Sequence, residues 1–463
     1  MPNFLDRYLT EPDKSLSGDT YIDPIGTLLI WSAFGREIFQ NKINSVSNDV
    51  RNYTLNLFHH HLLRKLINDD DVVLSGSLQR EYSDKHSLSF KNACLIFLEN
   101  IFVYSVLRHE NENNNVKVVT RGILGGANAR RIWEETKKRP TLKFTHKSEG
   151  QILVRQLGLG VSGRYKTPLL SIGFFDKSYQ YNLPDNQTIW GDVERFIAGP
   201  AREPLGTLEG ELYGFITNQL EHTKVGKPID FSGDVPRNLT SAYAKAFAAP
   251  NAVGKYAGDF WLRQTGLNQN AAGALLNVLG SQNSEIVPKE LVEAAIKEQL
   301  PKEEQAKLER IVALEPLLSD CALLFNIIAS EKTQSVAGAE KLWKGFNRTE
   351  WRLRDCADKT TDLLIPKEIK GSEGERRLIE LRGVANAGNF DQQVRKLIEY
   401  HKRVMNMRGP SAWLDIDDIG KIRVNARTVP LPEPENRPPG SWQNSYYLHE
   451  FSNFAVGVVG NSA

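Results

Sequence analysis

Apolar residues along the first 110 positions recur at three- and four-residue spacing, a period that predicts helices rather than strands. Ile25 to Phe39 forms one such run, with Pro24 suited to the first turn. Ser47-Asn48-Asp49 offers oxygen caps ahead of a second run, Val50 to Ile67, in which Tyr53, Leu57, His61 and Leu62 share a face. A third helix is expected over Phe90 to Arg108. Its centre, Ala93 to Leu107, is the most apolar stretch in the chain, but Glu99 and Asn100 interrupt it. It falls short of the roughly 20 apolar residues that span a bilayer, so a buried core helix is expected and no membrane partner.

The pattern changes after a polar run at Glu110 to Asn115. Val116 to Leu124 reads as a strand, Ala127 to Lys138 as a helix stopped by Pro140, and Glu149 to Leu157 and Arg164 to Ile172 as short helices flanking Gly158 to Gly163. Pro184 to Pro236 is rich in Gly, Pro and Asp and contains one expected helix, Leu208 to Leu220. Helical periodicity then resumes over Leu239 to Ala248, Asp259 to Thr265, Gln269 to Leu279, Pro288 to Gln299, Lys302 to Ala329 and Val336 to Phe346. Pro366 to Glu375 has the composition of an exposed linker. Beyond it, a long helix over Glu375 to Met407 is expected to break near Gly383 to Gly388. A hairpin follows, Ala412 to Ile416 with Lys421 to Ala426, and then a proline-rich bridge and a final amphipathic helix over Ser445 to Val459.

These elements predict a mainly α fold with a minor β component (α+β), a multidomain helical protein with a small C-terminal β-hairpin. Four segments are expected: a helical domain at 1–115, a basic mixed segment at 116–236, a helical domain at 237–365, and 366–463 carrying the long helix, hairpin and terminal helix. A chain of 463 residues exceeds what one small core organises. Its 40% hydrophobic and 25% charged residues are ordinary globular usage. Three widely spaced cysteines, Cys94, Cys321 and Cys356, make no disulfide framework, and Met1 to Ser15 lacks an apolar signal core; a cytoplasmic protein is expected.

Net charge is only +2, yet Lys117 to Lys166 contains twelve basic and three acidic residues. Lys and Arg that replace counterions on a phosphate chain need such a concentration, so the window predicts association with nucleic acid, DNA more than RNA. The expected phosphate ligands are Arg130, Arg131, Lys137, Lys138, Arg139, Arg164 and Lys166, with Trp133, Phe144 and Tyr165 among them able to stack or to pack inward. A helix-turn-helix around the glycine turn is a further reading, against which Pro168 counts. The opposing reading is a solvated or protein-facing basic surface.

Catalytic signatures fail on inspection. Gly158-Leu159-Gly160-Val161-Ser162-Gly163 spells GxGxxG, but Arg155 and Gln156 suit no buried strand before it. Arg164 stands where a nucleophile elbow needs its last glycine. His59-His60-His61 point about 100° apart on a helix and do not converge on one metal; His61 is expected on the core face, with His59 and His60 partly exposed. Asp358, Glu368 and Lys370 form the best metal-dependent nuclease candidate, set in poor surroundings. No cofactor and no metal site is expected.

Two short stretches, Gly163-Arg164-Tyr165-Lys166-Thr167-Pro168 and Trp442-Gln443-Asn444-Ser445-Tyr446-Tyr447-Leu448-His449, resemble accessory proteins encoded in bacterial anti-phage defence clusters. The resemblance implies a non-catalytic, nucleic-acid-associating subunit of a multiprotein assembly. Trp442, Tyr446 and Tyr447 are the expected docking surface for other subunits. A metal-dependent nuclease and a protein-only scaffold are the alternatives.

Overall fold

The structure is a computed structural model that describes residues 23–44, 49–112, 118–119, 122–153, 156–159, 166–281, 286–409 and 411–459. Helices dominate: twenty α-helices lie among the described residues, with five strands of three or four residues. The fold is mainly α with a minor antiparallel β component. The chain forms two compact units. Among the described residues, one is built from Asn41–Asn268 and residues 450–459, the other from residues 23–40 and Gln269–His449. Their boundaries fall within three of the four expected segments, 1–115, 237–365 and 366–463, because each unit combines stretches distant in sequence, while 116–236 lies wholly within one unit.

In the unit holding Asn41–Asn268, the helix Leu88–Asn111 is the core element, capped by Ser87 through its side chain to the Phe90 N–H. The helices Val50–Asn68 and Arg237–Ala246 pack against it. Asp49 caps Val50–Asn68 as its sequence predicts, accepting from Arg51 N at 2.8 Å. Glu99 and Asn100, the polar interruptions, are buried, and Gln156 Nε2 donates to both, at 2.7 and 2.9 Å. A buried polar pair costs little once its hydrogen bonds are made, and so the helix continues through it. The helix Pro250–Thr265 meets the last turns of the chain at Gly254, where any Cβ would overlap the Gly457 carbonyl. Two short strands, Thr141–Lys143 and Pro228–Asp230, pair antiparallel with Leu142 opposite Ile229.

The other unit is organised on Lys302–Ile328, against which Leu28–Phe39, Asn270–Ser281, Arg352–Asp358 and Phe390–Arg408 pack. The expected break in the long C-terminal helix is present: Glu373–Ala385 ends at Asn386, and Asn389 caps Phe390–Arg408. The hairpin forms from Leu414–Ile416 and Lys421–Val424, and a third strand, Thr333–Ser335, adds to its other edge with Gln334 opposite Ile422. Pro366–Glu375 is more than a linker, since Ile369 is fully buried.

Two helices, Leu88–Asn111 and Lys302–Ile328, are long and apolar enough to cross a membrane by length and composition. Their apolar windows are 94% and 72% buried inside the protein, which is the signature of core helices. Among the described residues the Val116 to Leu124 stretch forms no strand, and Glu149 to Leu157 is a 3₁₀ turn at Ser148–Gly150 followed by the short helix Gln156–Leu159.

Candidate functional site

Among its described residues, the basic window does not form one free cationic face. Arg130 pairs with Glu110 at 2.9 Å and Arg131 with Glu135 at 2.8 Å, one turn along its own helix. Arg139 is held by Asp230 across the two-stranded sheet, its Nε 3.1 Å from Oδ2, and Lys147 pairs with Glu81 at 2.7 Å. Lys166 lies over the Tyr179 ring at 4.3 Å and donates to the Lys177 carbonyl at 2.6 Å; burial pulls its ammonium below the usual lysine range. Of the expected phosphate ligands, only Lys137 and Lys138 are exposed without an ion pair among the described residues, both in left-handed backbone after Gly126–Glu135. Arg164 and Tyr165, with most of the glycine turn, lie outside the described residues. Trp133 and Phe144 are buried and pack inward.

Two other expectations need correction. Tyr446 and Tyr447 are interior side chains, packed edge-on against Trp31 at 6.1 and 5.4 Å, and present no docking surface. Trp442 is half-buried, with its indole N–H donating to the Asn444 carbonyl at 2.7 Å. Aromatic residues near a terminus signalled an interface by composition alone; the backbone of Leu28–Phe39, open at Gly35 where a Cβ would overlap the Tyr446 carbonyl, draws them into the core instead. The nuclease candidates are also apart in environment. Asp358 is exposed at a helix end, Glu368 is half-buried within the field of Glu37, and no three His, Cys, Asp or Glu side chains gather to hold a metal among the described residues.

The three histidines leave Val50–Asn68 in three directions, as a 100° stagger requires. All are buried, so the expected exposure of His59 and His60 is wrong. His59 Nε2 meets the Tyr243 hydroxyl at 3.0 Å, and burial drives its pKa down to about 3. His60 Nδ1 meets the Tyr181 hydroxyl at 2.8 Å within a cage of Phe175, Tyr179 and Tyr181, and burial lowers its pKa as well. Both are core imidazoles bonded through one ring nitrogen, and Nε2 of His60 has no hydrogen-bond partner.

His61 differs. Its side chain is only 9% exposed, neither ring nitrogen has a hydrogen-bond partner, and it lines an open cavity of about 560 Å³. The nearest charge is Glu209, whose Oε1 is 3.6 Å from Nε2, within ion-pair range but beyond a hydrogen bond. His61 and then Lys65, which pairs with Glu209 at 2.7 Å, hold the Glu209 carboxyl down to about 2 against the upward push of burial.

Four elements build this cavity. Val50–Asn68 contributes His61, Arg64, Lys65 and Asn68, spaced to fall on one helical face. Gln187–Ala198 supplies Glu194, Ile197 and Ala198, and Arg64 bonds Glu194 at 2.7 Å while lying 5.3 Å from the Trp190 ring centre. A π-helical turn, Arg202–Gly206, brings Arg202 to the rim and runs directly into Thr207–His222, which carries Glu209. Single π turns concentrate at functional sites because the extra residue re-aims a side chain at the cost of a hydrogen bond. Arg202 is exposed and has no ion pair among the described residues.

Sequence reasoning missed this site. His61 was legible only as a core position, and Gln187–Ala198 was not expected as a helix because Gly191 and the flanking Pro184 and Gly199 mask its apolar face, Trp190, Val193, Phe196 and Ile197. Compared with family models, curated proteins and solved structures, the chain matches none.

Proposed function

We propose that the unit containing Asn41–Asn268 binds a small anionic molecule in the cavity lined by His61, Arg64, Lys65, Arg202 and Glu209. One observation carries the reading: a nine-tenths-buried imidazole, with no hydrogen bond at either nitrogen and only a 3.6 Å ion-pair contact to Glu209, lines a cavity of ligand size. An unmet buried polar group costs about 1–3 kcal/mol, and a ligand that bonds to it recovers that cost. Arg64, Lys65 and Arg202 line the cavity against three carboxylates, Asp69, Glu194 and Glu209, and the exposed Arg202, with no ion pair among the described residues, together with the imidazole favours an anion.

Thermal unfolding of the full chain with acetate, citrate, orthophosphate and pyrophosphate tests this. At least one should stabilise the protein saturably, by about 2.7 kcal/mol at a hundredfold excess over its Kd. His61→Ala should remove the effect. Equal stabilisation in the variant, or none by any of the four anions, overturns the proposal.

A second reading, a nucleic-acid-associating subunit of a larger assembly, is supported by the adjacent and unpaired Lys137 and Lys138. With two phosphates neutralised, log K for a DNA duplex should fall with log salt at a slope of about −2. Lys137→Glu with Lys138→Glu should flatten it, and a slope unchanged in that variant removes this reading.

A further inference from the structure

We infer that the ligand of the His61 cavity is an organic phosphomonoester, a phosphate group carried on a hydroxyl-bearing body. This rests on the anion-binding reading above and narrows it to a class.

Arg64 and Lys65 are committed to Glu194 and Glu209, but both pairs reach solvent: Glu194 is 55% exposed and Lys65 48%. The Arg64–Glu194 pair, the more exposed at its carboxylate, holds by about 1 kcal/mol or less, whereas Glu209 is only 17% exposed and keeps Lys65 more firmly. With Asp69 also in its lining the cavity is charge-balanced, and an entering anion finds Arg202, which has no ion pair among the described residues, an imidazole without a hydrogen bond, and two cations already held in pairs.

A carboxylate has only two oxygens in one plane, and a bidentate guanidinium engages both, so its remaining lone pairs reach further donors only within that plane. A phosphate dianion has three terminal oxygens in a tetrahedral array, enough for the guanidinium fork, the imidazole and Lys65 together. The π turn and Thr207–His222 form one continuous helical stretch whose first turn lines the cavity through Arg202 and Gly206, so its positive end adds to the same preference.

The body of the ligand follows from the rest of the wall. A volume of about 560 Å³ is far larger than a bare ion needs. Ile197 and Ala198 give an apolar strip, and a carboxylate released from its cation, Glu194 or Glu209, becomes an acceptor for hydroxyl groups. A sugar phosphate or a mononucleotide presents both features.

Isothermal titration of the full chain with acetate, orthophosphate and ribose 5-phosphate decides it. Ribose 5-phosphate should bind about tenfold or more tighter than acetate, with orthophosphate between them. Arg202→Gln, an exposed position that leaves the core intact, should weaken ribose 5-phosphate about tenfold and narrow its advantage over acetate. Equal affinity for all three, lost in His61→Gln, would overturn the phosphomonoester class while the anion site stood. Binding of ribose 5-phosphate that Arg202→Gln leaves unchanged would also overturn it. No binding of any probe would remove the anion site and the class with it.

Discussion

Side chains that carry charge into the interior decide most of what is distinctive here. Glu315 is the clearest case. It lies on Lys302–Ile328, 2% exposed, and accepts hydrogen bonds from Gln443 N at 2.5 Å, Asn444 N at 3.1 Å and Asn444 Nδ2 at 2.9 Å. Burial outweighs those donors and raises its pKa from 4.5 to about 7, with the Tyr446 ring beside it and the Arg437 guanidinium in its field. A raised carboxyl pKa favours the protonated form in the fold. Its contribution is complete below about 4.5 and is lost as pH climbs to about 7. The stability advantage of the wild type over Glu315→Gln should therefore shrink by roughly 3 kcal/mol between those limits, read as urea midpoints of paired samples. A pH-independent difference would show that the carboxyl does not titrate in that range. None of this is legible in the sequence, where Glu315 is one glutamate among many beside a proline.

Elements were far more legible, because periodicity and capping are local. Val50–Asn68, Leu88–Asn111 and Phe390–Arg408 appear where apolar spacing and a Ser, Asp or Asn cap place them. Asn389→Ala should cost about 1 kcal/mol, since its side chain meets the Gln392 N–H at 3.0 Å. Elements built on close approach are a different matter. Gly254→Ala would drive a methyl into the Gly457 carbonyl, and the helix Pro250–Thr265 must shift to admit it. Destabilisation of about 1–3 kcal/mol is expected in denaturant unfolding. A neutral result would mean that the terminal turns are not seated there. The strand Thr333–Ser335 escaped notice for a related reason: three residues bear no periodicity, and only the hairpin edge it joins makes it a strand.

At the scale of the molecule, two units with separate cores predict two unfolding transitions rather than one. Asp320 is buried between Arg348, at 3.0 Å, and Arg352, at 2.6 Å, so Asp320→Ala strands at least one buried guanidinium. It should lower one transition by about 3–5 kcal/mol, and Gly254→Ala should lower the other. Both variants moving a single transition in calorimetry would show that the cores unfold together. Charge tells a parallel story. The cationic window is real in sequence, but Glu110, Glu135, Asp230 and Glu81 neutralise four of its members. Three of those acids, Glu110, Asp230 and Glu81, lie outside the window, and for the two on distant stretches no linear count brings Asp230 to Arg139 or Glu81 to Lys147.

The sequence by itself determined the helical class, the position of most helices and the hairpin, since each follows from spacing within one or two dozen neighbouring residues. Tertiary structure decided which charges are free, which aromatic rings are interior, and where a cavity opens. Those properties depend on residues such as His61 and Glu209 meeting across more than a hundred positions of chain, and the energy of a charge is set by the partners and solvent around it rather than by its own identity.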